Sequence, residues 1–319
     1  MDQNAGSPSP LLDQLSQNYS ALRELESKEF PVPAQTVVMA VANQKGGVGK
    51  TTTAVNIAAA FALGGLNVLV VDGDPQGNAS TALGVAHSPG TPSTYEVLVN
   101  EKGLSDVIQS CPDVPNLWVC PATIDLAGVE VELVDEPERA SFLKQAIDEL
   151  LDQARRGEFP KPDVVVIDCP PSLGLLTLNA FVASTELLIP VQAEYYALEG
   201  LSLLLSTVGR IRQEMNPSLQ EPTLLVTMLD SRTNLGADVA EEVRNHFGDQ
   251  VVEAVIPRLV RISEAPSFGQ TILTYDPKGG GAIAYRQVGL EFASRLAHRY
   301  GQATTGHSNE DVDGGKDGD

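Results

Sequence analysis

Cysteine is scarce in this sequence. Cys111, Cys120 and Cys169 are the only three among 319 residues, an odd number at spacings that fit neither a zinc nor an iron–sulfur pattern. They predict buried thiols in a reducing compartment, not a disulfide frame or a metal cluster. Long apolar runs are missing too: no stretch reaches the roughly 18 residues that a spanning helix needs. Residues 1–10 show no basic region followed by an apolar one, so neither leader nor membrane partner is expected, and the chain should stay in the cytoplasm. Positive charge is in short supply. The formal net charge of -21 argues at first against a polyanionic partner. Its distribution softens that exclusion, because residues 198–300 carry 12 acidic against 10 basic side chains, nine of them Arg. Arginine suits phosphate contacts, so a local basic surface stays open. What the chain has in quantity is apolar residues, 42% of the total, enough for a substantial core.

Residues 1–10 and 302–319 are rich in Ser, Pro, Gly, Asn and Asp and cannot bury enough surface to offset their ordering entropy, so disordered tails are expected. Between them Leu12, Leu15, Tyr19, Leu22 and Leu25 recur at helical spacing, predicting an amphipathic helix over 11–29 that Pro31 and Pro33 end. It either packs on the main domain or docks a partner or second subunit. Continuous β-branched runs at 37–42, 68–71, 164–167, 187–191 and 224–226 read as strands covered on both faces. Helical stretches fall at 51–64, 141–155, 173–183, 198–215, 236–247 and 284–299. The pattern predicts an α/β fold, a mostly parallel twisted sheet with helices on both faces. The expected organisation is a tail plus helix over 1–35, one domain over 36–300 and an acidic tail over 301–319.

The first strand runs into Lys45, Gly46, Gly47, Val48, Gly49, Lys50, Thr51 and Thr52. A strand, a Gly-rich turn and a helix opening on Lys-Thr bring backbone N–H groups and a helix N-terminus onto phosphate oxygens. Lys50 can reach the β- and γ-phosphates of ATP, and the Thr51 hydroxyl is placed to ligate Mg²⁺. The general P-loop pattern wants Gly at position 44, where this chain has Gln44, and a second lysine, Lys45, opens the loop instead. Further on, Asp72 and Asp74 stand at the C-terminal end of the second strand, where open parallel sheets bind ligands. A carboxylate there can hold water in line with a γ-phosphate. Asp72 reads as support for the loop and metal site. Another strand ends at Asp168, in the form of a Walker B carboxylate that would hold Mg²⁺ through water; Pro170 and Pro171 stiffen the turn after it.

With Lys45 in place the loop resembles the deviant Walker A form of the ParA/MinD/nitrogenase iron-protein superfamily, within the SIMIBI-type P-loop NTPases. The resemblance spans about residues 36–300. It narrows to the ParA/Soj partitioning ATPases on Asp74-Pro75-Gln76-Gly77-Asn78, Glu194-Tyr195-Tyr196-Ala197-Leu198-Glu199-Gly200, Met228-Leu229-Asp230-Ser231-Arg232-Thr233-Asn234 and Ile262-Ser263-Glu264-Ala265-Pro266-Ser267. The cysteines do not match the iron proteins, and the acidic tail replaces the basic membrane helix of MinD. The resemblance implies that Lys45 reaches across an ATP-dependent sandwich homodimer, that Asp74 orients the attacking water and contributes with Thr51 and Asp168 to the metal site, and that Met228 and Pro257 lie near the adenine. It also implies nucleoid association through non-specific DNA binding by the dimer, with Arg210, Arg212, Arg232, Arg258 and Arg261 as candidates. Hydrolysis would be stimulated by a ParB-type protein; a polar scaffold is left open. The N-terminal segment is too short for a helix-turn-helix domain. The rival from another class is a P-loop metabolic enzyme of related fold, which needs a small-molecule acceptor pocket.

Overall fold

Strands made of consecutive valines and isoleucines can avoid water only if both faces are covered, and the sheet meets that requirement. The computed structural model describes residues 10–194, 199–230 and 234–303. Seven strands, β1 (Val37–Val41), β2 (Val68–Asp72), β3 (Gln109–Ser110), β4 (Leu117–Cys120), β5 (Val164–Asp168), β6 (Glu186–Gln192) and β7 (Thr223–Thr227), form one sheet in the order β3-β4-β2-β5-β1-β6-β7. All pairings are parallel except β3 with β4. The main helices are α1 (Pro10–Glu26), α2 (Lys50–Leu63), α3 (Asn78–Ala82), α4 (Phe142–Arg155), α5 (Leu175–Ala183), α6 (Glu199–Glu214), α7 (Asn234–Phe247) and α8 (Gly280–Tyr300).

Side-chain alternation divides the interior into two cores. Val37, Met39, Val41, Val68, Val70, Val164 and Val166 face α2 and α8, whereas Val38, Ala40, Leu69, Val71, Val165 and Ile167 face the side covered by α4, α5 and α6. Every residue of β1, β2 and β5 is buried. The three cysteines are free and buried, and burial pushes the Cys120 thiol up to about 12. Among the described residues no helix is long and apolar enough to cross a membrane.

The sequence reading missed β3 and β4. The former has two residues and the latter follows Pro112, Pro115 and an Asn116 with φ 59, turn signals that obscure a four-residue strand. Helix α8 starts four residues before the expected 284, on glycines that are poor helix formers. Gly281 is there for close packing, since a Cβ on it would lie 2.8 Å from Ile262 Cγ1. Helix α1 ends at Glu26 rather than 29. Its Leu22 and Leu25 pack on Ile283 of α8, and Phe30 just beyond it enters the core beside α2 and α8. The side chains of Leu12 and Leu15, and the tails at 1–9 and 304–319, lie outside the described residues.

Candidate nucleotide site

The ladder places the three catalytic-looking loops side by side. Asp168 is the register partner of both Val41 on β1 and Asp72 on β2, so the Gly-rich loop after β1, the Asp74 loop after β2 and the Pro-Pro turn after β5 leave the same edge of the sheet. Gly47 and Gly49 have φ of 74° and 88°, left-handed values that disfavour a side chain, and Gly49 is the N-cap from which α2 departs. The Asn43 carboxamide steers this loop: it accepts from Lys45 N at 3.0 Å and donates to Pro190 O at 2.7 Å. Thr227 at the end of β7 donates to Val48 O at 2.9 Å, tying the loop to the far side of the sheet. Thr52 O accepts from Asn56, whose own Oδ1 holds the Ile272 amide.

Gly46, Gly47, Gly49, Lys50, Thr51, Thr52, Asp74, Gln76, Asn78, Pro171 and Met228 line a cleft of about 370 Å³. A more apolar cavity of about 440 Å³ between Leu173, Phe181 and Ile211 lies away from these residues, so it is converging chemistry that marks the site, not volume. Lys50 is buried and its Nζ donates to Lys45 O at 3.3 Å. Burial lowers its pKa, opposed by the nearby Asp168 and Asp74 carboxylates. Three carboxylates share the neighbourhood of this one buried ammonium. Asp72 is fully buried and pushed up to about 6, by burial foremost, against the hydrogen bonds it accepts from Ser80 and Asp74. Asp168 is raised well above the usual carboxylate range by burial and by Asp72. Thr51 leans toward it and favours its charge, yet neither Asp168 oxygen closes a hydrogen bond although both are buried. Two orphaned carboxylate oxygens in an acid-rich pocket, with a hydroxyl beside them, fit a hard cation such as Mg²⁺. Among the described residues no three His, Cys, Asp or Glu side chains form a ready-made cage, as suits an ion that keeps waters and phosphates as ligands.

Asp74 is 8% exposed at the cleft and its Oδ1 accepts from Gln76 N at 3.0 Å. Lys45 points the other way, pairing with Glu194 of its own chain at 3.1 Å, with the two side chains 40% and 50% exposed. Met228, held at a φ of 54°, puts its Cε within reach of the Gly49 Cα face. Pro257 joins the neighbouring Leu229 through a parallel bridge but does not line the cleft. Among the described residues, two of the arginine candidates are already paired. Arg212 is engaged by Glu221 and by Leu219 O, and Arg261 by Asp276 at 3.2 Å. Arg210 is 76% exposed, 4.0 Å from Glu214, and Arg258 is exposed, its amide on Leu229 O. Arg232 lies outside the described residues. The sequence reading passed over Asn43, Ser80 and Thr227, whose roles depend on contacts remote in the chain and carry no local signal.

Residues 36–221 match the family model described as an AAA domain. The chain is 49% identical over 257 residues to the sporulation initiation inhibitor protein Soj of Bacillus subtilis, covering 81% of this chain and 98% of that protein. It is 46% identical over 266 residues to the chromosome partitioning protein ParA of Caulobacter vibrioides, covering 83% and 97%. Among solved structures it resembles cobyrinic acid a,c-diamide synthase of Mycobacterium smegmatis with bound ADP and magnesium, at 38% identity and a TM-score of 0.68 over 83% of this chain and 96% of that one. Cell division ATPase MinD of Pyrococcus furiosus follows at 26% identity and a TM-score of 0.64, over 81% and 99%.

Proposed function

The chain belongs to the ParA/Soj family of chromosome-partitioning ATPases, and from that premise we propose that it hydrolyses ATP in the cleft beside Lys50 as a DNA-segregation switch. The observation that carries this reading is the convergence of Lys50, Thr51, Asp74 and the orphaned Asp168 carboxylate at one edge of the sheet. The loop amides from Gly46 to Thr51 and the Lys50 ammonium receive the phosphates. Thr51 and Asp168, with Asp74 nearby, would hold Mg²⁺, which when bound neutralises phosphate charge. Asp74 accepts a proton-side hydrogen bond from water and holds it toward the γ-phosphate, positioning being most of what phosphoryl transfer requires. Met228 and Pro257 flank the adenine.

Lys45 supplies the link to assembly. In the ATP state it leaves Glu194 and reaches the phosphates of a second subunit. Releasing an exposed ion pair of this kind costs at most about 1 kcal/mol, so nucleotide can readily redirect it. The resulting homodimer binds DNA without regard to sequence, associates with the nucleoid, and is returned to the monomer when a ParB-type protein stimulates hydrolysis. The organisation proposed is one ATPase domain over 36–300, with flanking segments 1–35 and 301–319.

A second reading draws on the likeness to the M. smegmatis synthase, an enzyme named for a small-molecule product. ATP turnover measured with and without duplex DNA and the cognate ParB-type protein separates the two. Slow basal turnover raised by both supports partitioning, and turnover that depends on a small metabolite would sink it.

A further inference from the structure

The Asp74 loop hangs from a neighbour that no motif marks. Asp72 and Asp168 are register partners on adjacent strands, so both carboxylates project to the same face, and both are fully buried. Two such groups would compete for the same cation or repel each other. They are not alike, however. Neither Asp168 oxygen closes a hydrogen bond, although Thr51 leans toward it, whereas Asp72 is engaged on both oxygens: its Oδ2 accepts from Ser80 N at 2.8 Å and Ser80 Oγ at 2.7 Å, and its Oδ1 accepts from Asp74 N at 3.2 Å. Ser80 sits on α3, is wholly buried, and has its own hydroxyl oxygen fixed by Ala122 N at 3.1 Å beyond the end of β4. The Thr94 hydroxyl donates to Asp72 O at 2.7 Å from a third side. One carboxylate thereby bridges α3 to the backbone of Asp74.

We propose that Ser80 is a positioning residue for ATP hydrolysis: its hydroxyl and amide dedicate Asp72 to holding the Asp74 backbone, which keeps Asp74 aimed into the cleft and leaves Asp168 as the open ligand. This assignment rests on the reading of Asp74 as the residue that orients water. Without the hydroxyl, Asp72 keeps one donor from Ser80 and is no longer held in a single orientation. The loop 73–77 then keeps its tie through Gly73 N to Asp168 O but loses the firm hold on the Asp74 amide, and Asp74 its register with the γ-phosphate. Nucleotide affinity, set by the loop amides and Lys50, is untouched.

The test compares the parent full-length chain with Ser80→Ala and Ser80→Cys, the latter keeping the volume but offering only a weak donor. Steady-state ATP turnover, equilibrium binding of a fluorescent ATP analogue, and amide exchange at Asp74 and Gln76 are read together. Both variants should lose turnover between about ten- and a hundredfold, as a misplaced catalytic group does, with Kd within about threefold of the parent. Exchange at Asp74 and Gln76 should quicken while β5 stays protected. Should Ser80→Ala fail to fold, Ser80→Cys carries the comparison. Turnover within about twofold of the parent in the variants, parental turnover in Ser80→Cys alone, or kcat and affinity falling in step would overturn the proposal. Asp74→Ala is run alongside. If it hydrolyses at the parental rate, the water-positioning reading falls and this assignment with it; if it is inactive while Ser80→Ala is not slowed, only the Ser80 assignment falls.

Discussion

Asp74 and Lys50 both line one cleft, and their substitutions should separate binding from chemistry. Asp74 is proposed to orient water and not to hold the phosphates, and its one side-chain hydrogen bond among the described residues is to Gln76 N. Asp74→Ala should therefore bind ATP with near-parental affinity while hydrolysis drops by about a hundredfold or more. Lys50→Ala removes a buried charge aimed at the phosphates and should weaken ATP binding by at least about tenfold. Equal losses of affinity in the two variants would show that Asp74 has been given the wrong role. Lys45 makes a different prediction, because its ion pair among the described residues is exposed and lies within its own chain. Lys45→Ala should bind mononucleotide yet form no dimer in ATP by light scattering, and a normal dimer there would refute the cross-subunit role.

Between elements, α2 and α8 pack closely, and glycine decides the spacing. A methyl group at Gly289 would lie 2.8 Å from Ala60 Cβ and 3.2 Å from Phe30 Cε2. Helix propensity gains about 1 kcal/mol from Gly to Ala, but overpacking of this kind costs about 1–3 kcal/mol, so Gly289→Ala should be net destabilising in urea unfolding. Gly209 on α6 meets no atom within 4 Å. Gly209→Ala should accordingly stabilise the protein by about 0.5–1 kcal/mol. The same substitution with opposite sign at two helix positions tests whether packing or propensity governs each.

For the whole molecule the open contest is between a net charge of -21 and a DNA partner. The proposed dimer would double the arginines offered to DNA, and they would act at short range where screening is weak, while the repulsion between net charges is long-range and screened. Binding to random duplex should require ATP and weaken steeply with salt, each phosphate contact adding about -0.9 to the slope of log affinity against log salt. Because Arg212 is already held by Glu221 and Leu219 whereas Arg210 is largely exposed, Arg210→Ala should flatten that slope more than Arg212→Ala. Equal binding with ATP, ADP and no nucleotide would end the switch model.

Residue types alone determined the alternation of apolar runs and helices, the Gly-Lys-Thr loop and the strand-terminal carboxylates, because each depends on neighbours a few positions away. The five long strands and the two-faced sheet were readable for that reason. Tertiary structure alone decided the rest. The ladder put Asp72 beside Asp168 across 96 residues, Ala122 brought β4 to Ser80, and Glu194 took Lys45 from 149 residues away. Nor could composition separate Arg212 from Arg210, since which guanidinium meets a carboxylate is settled by the turn that returns Glu221 to α6. A sequence states which groups are available, and only the packed chain fixes which lone pairs are filled and which stay open for a ligand.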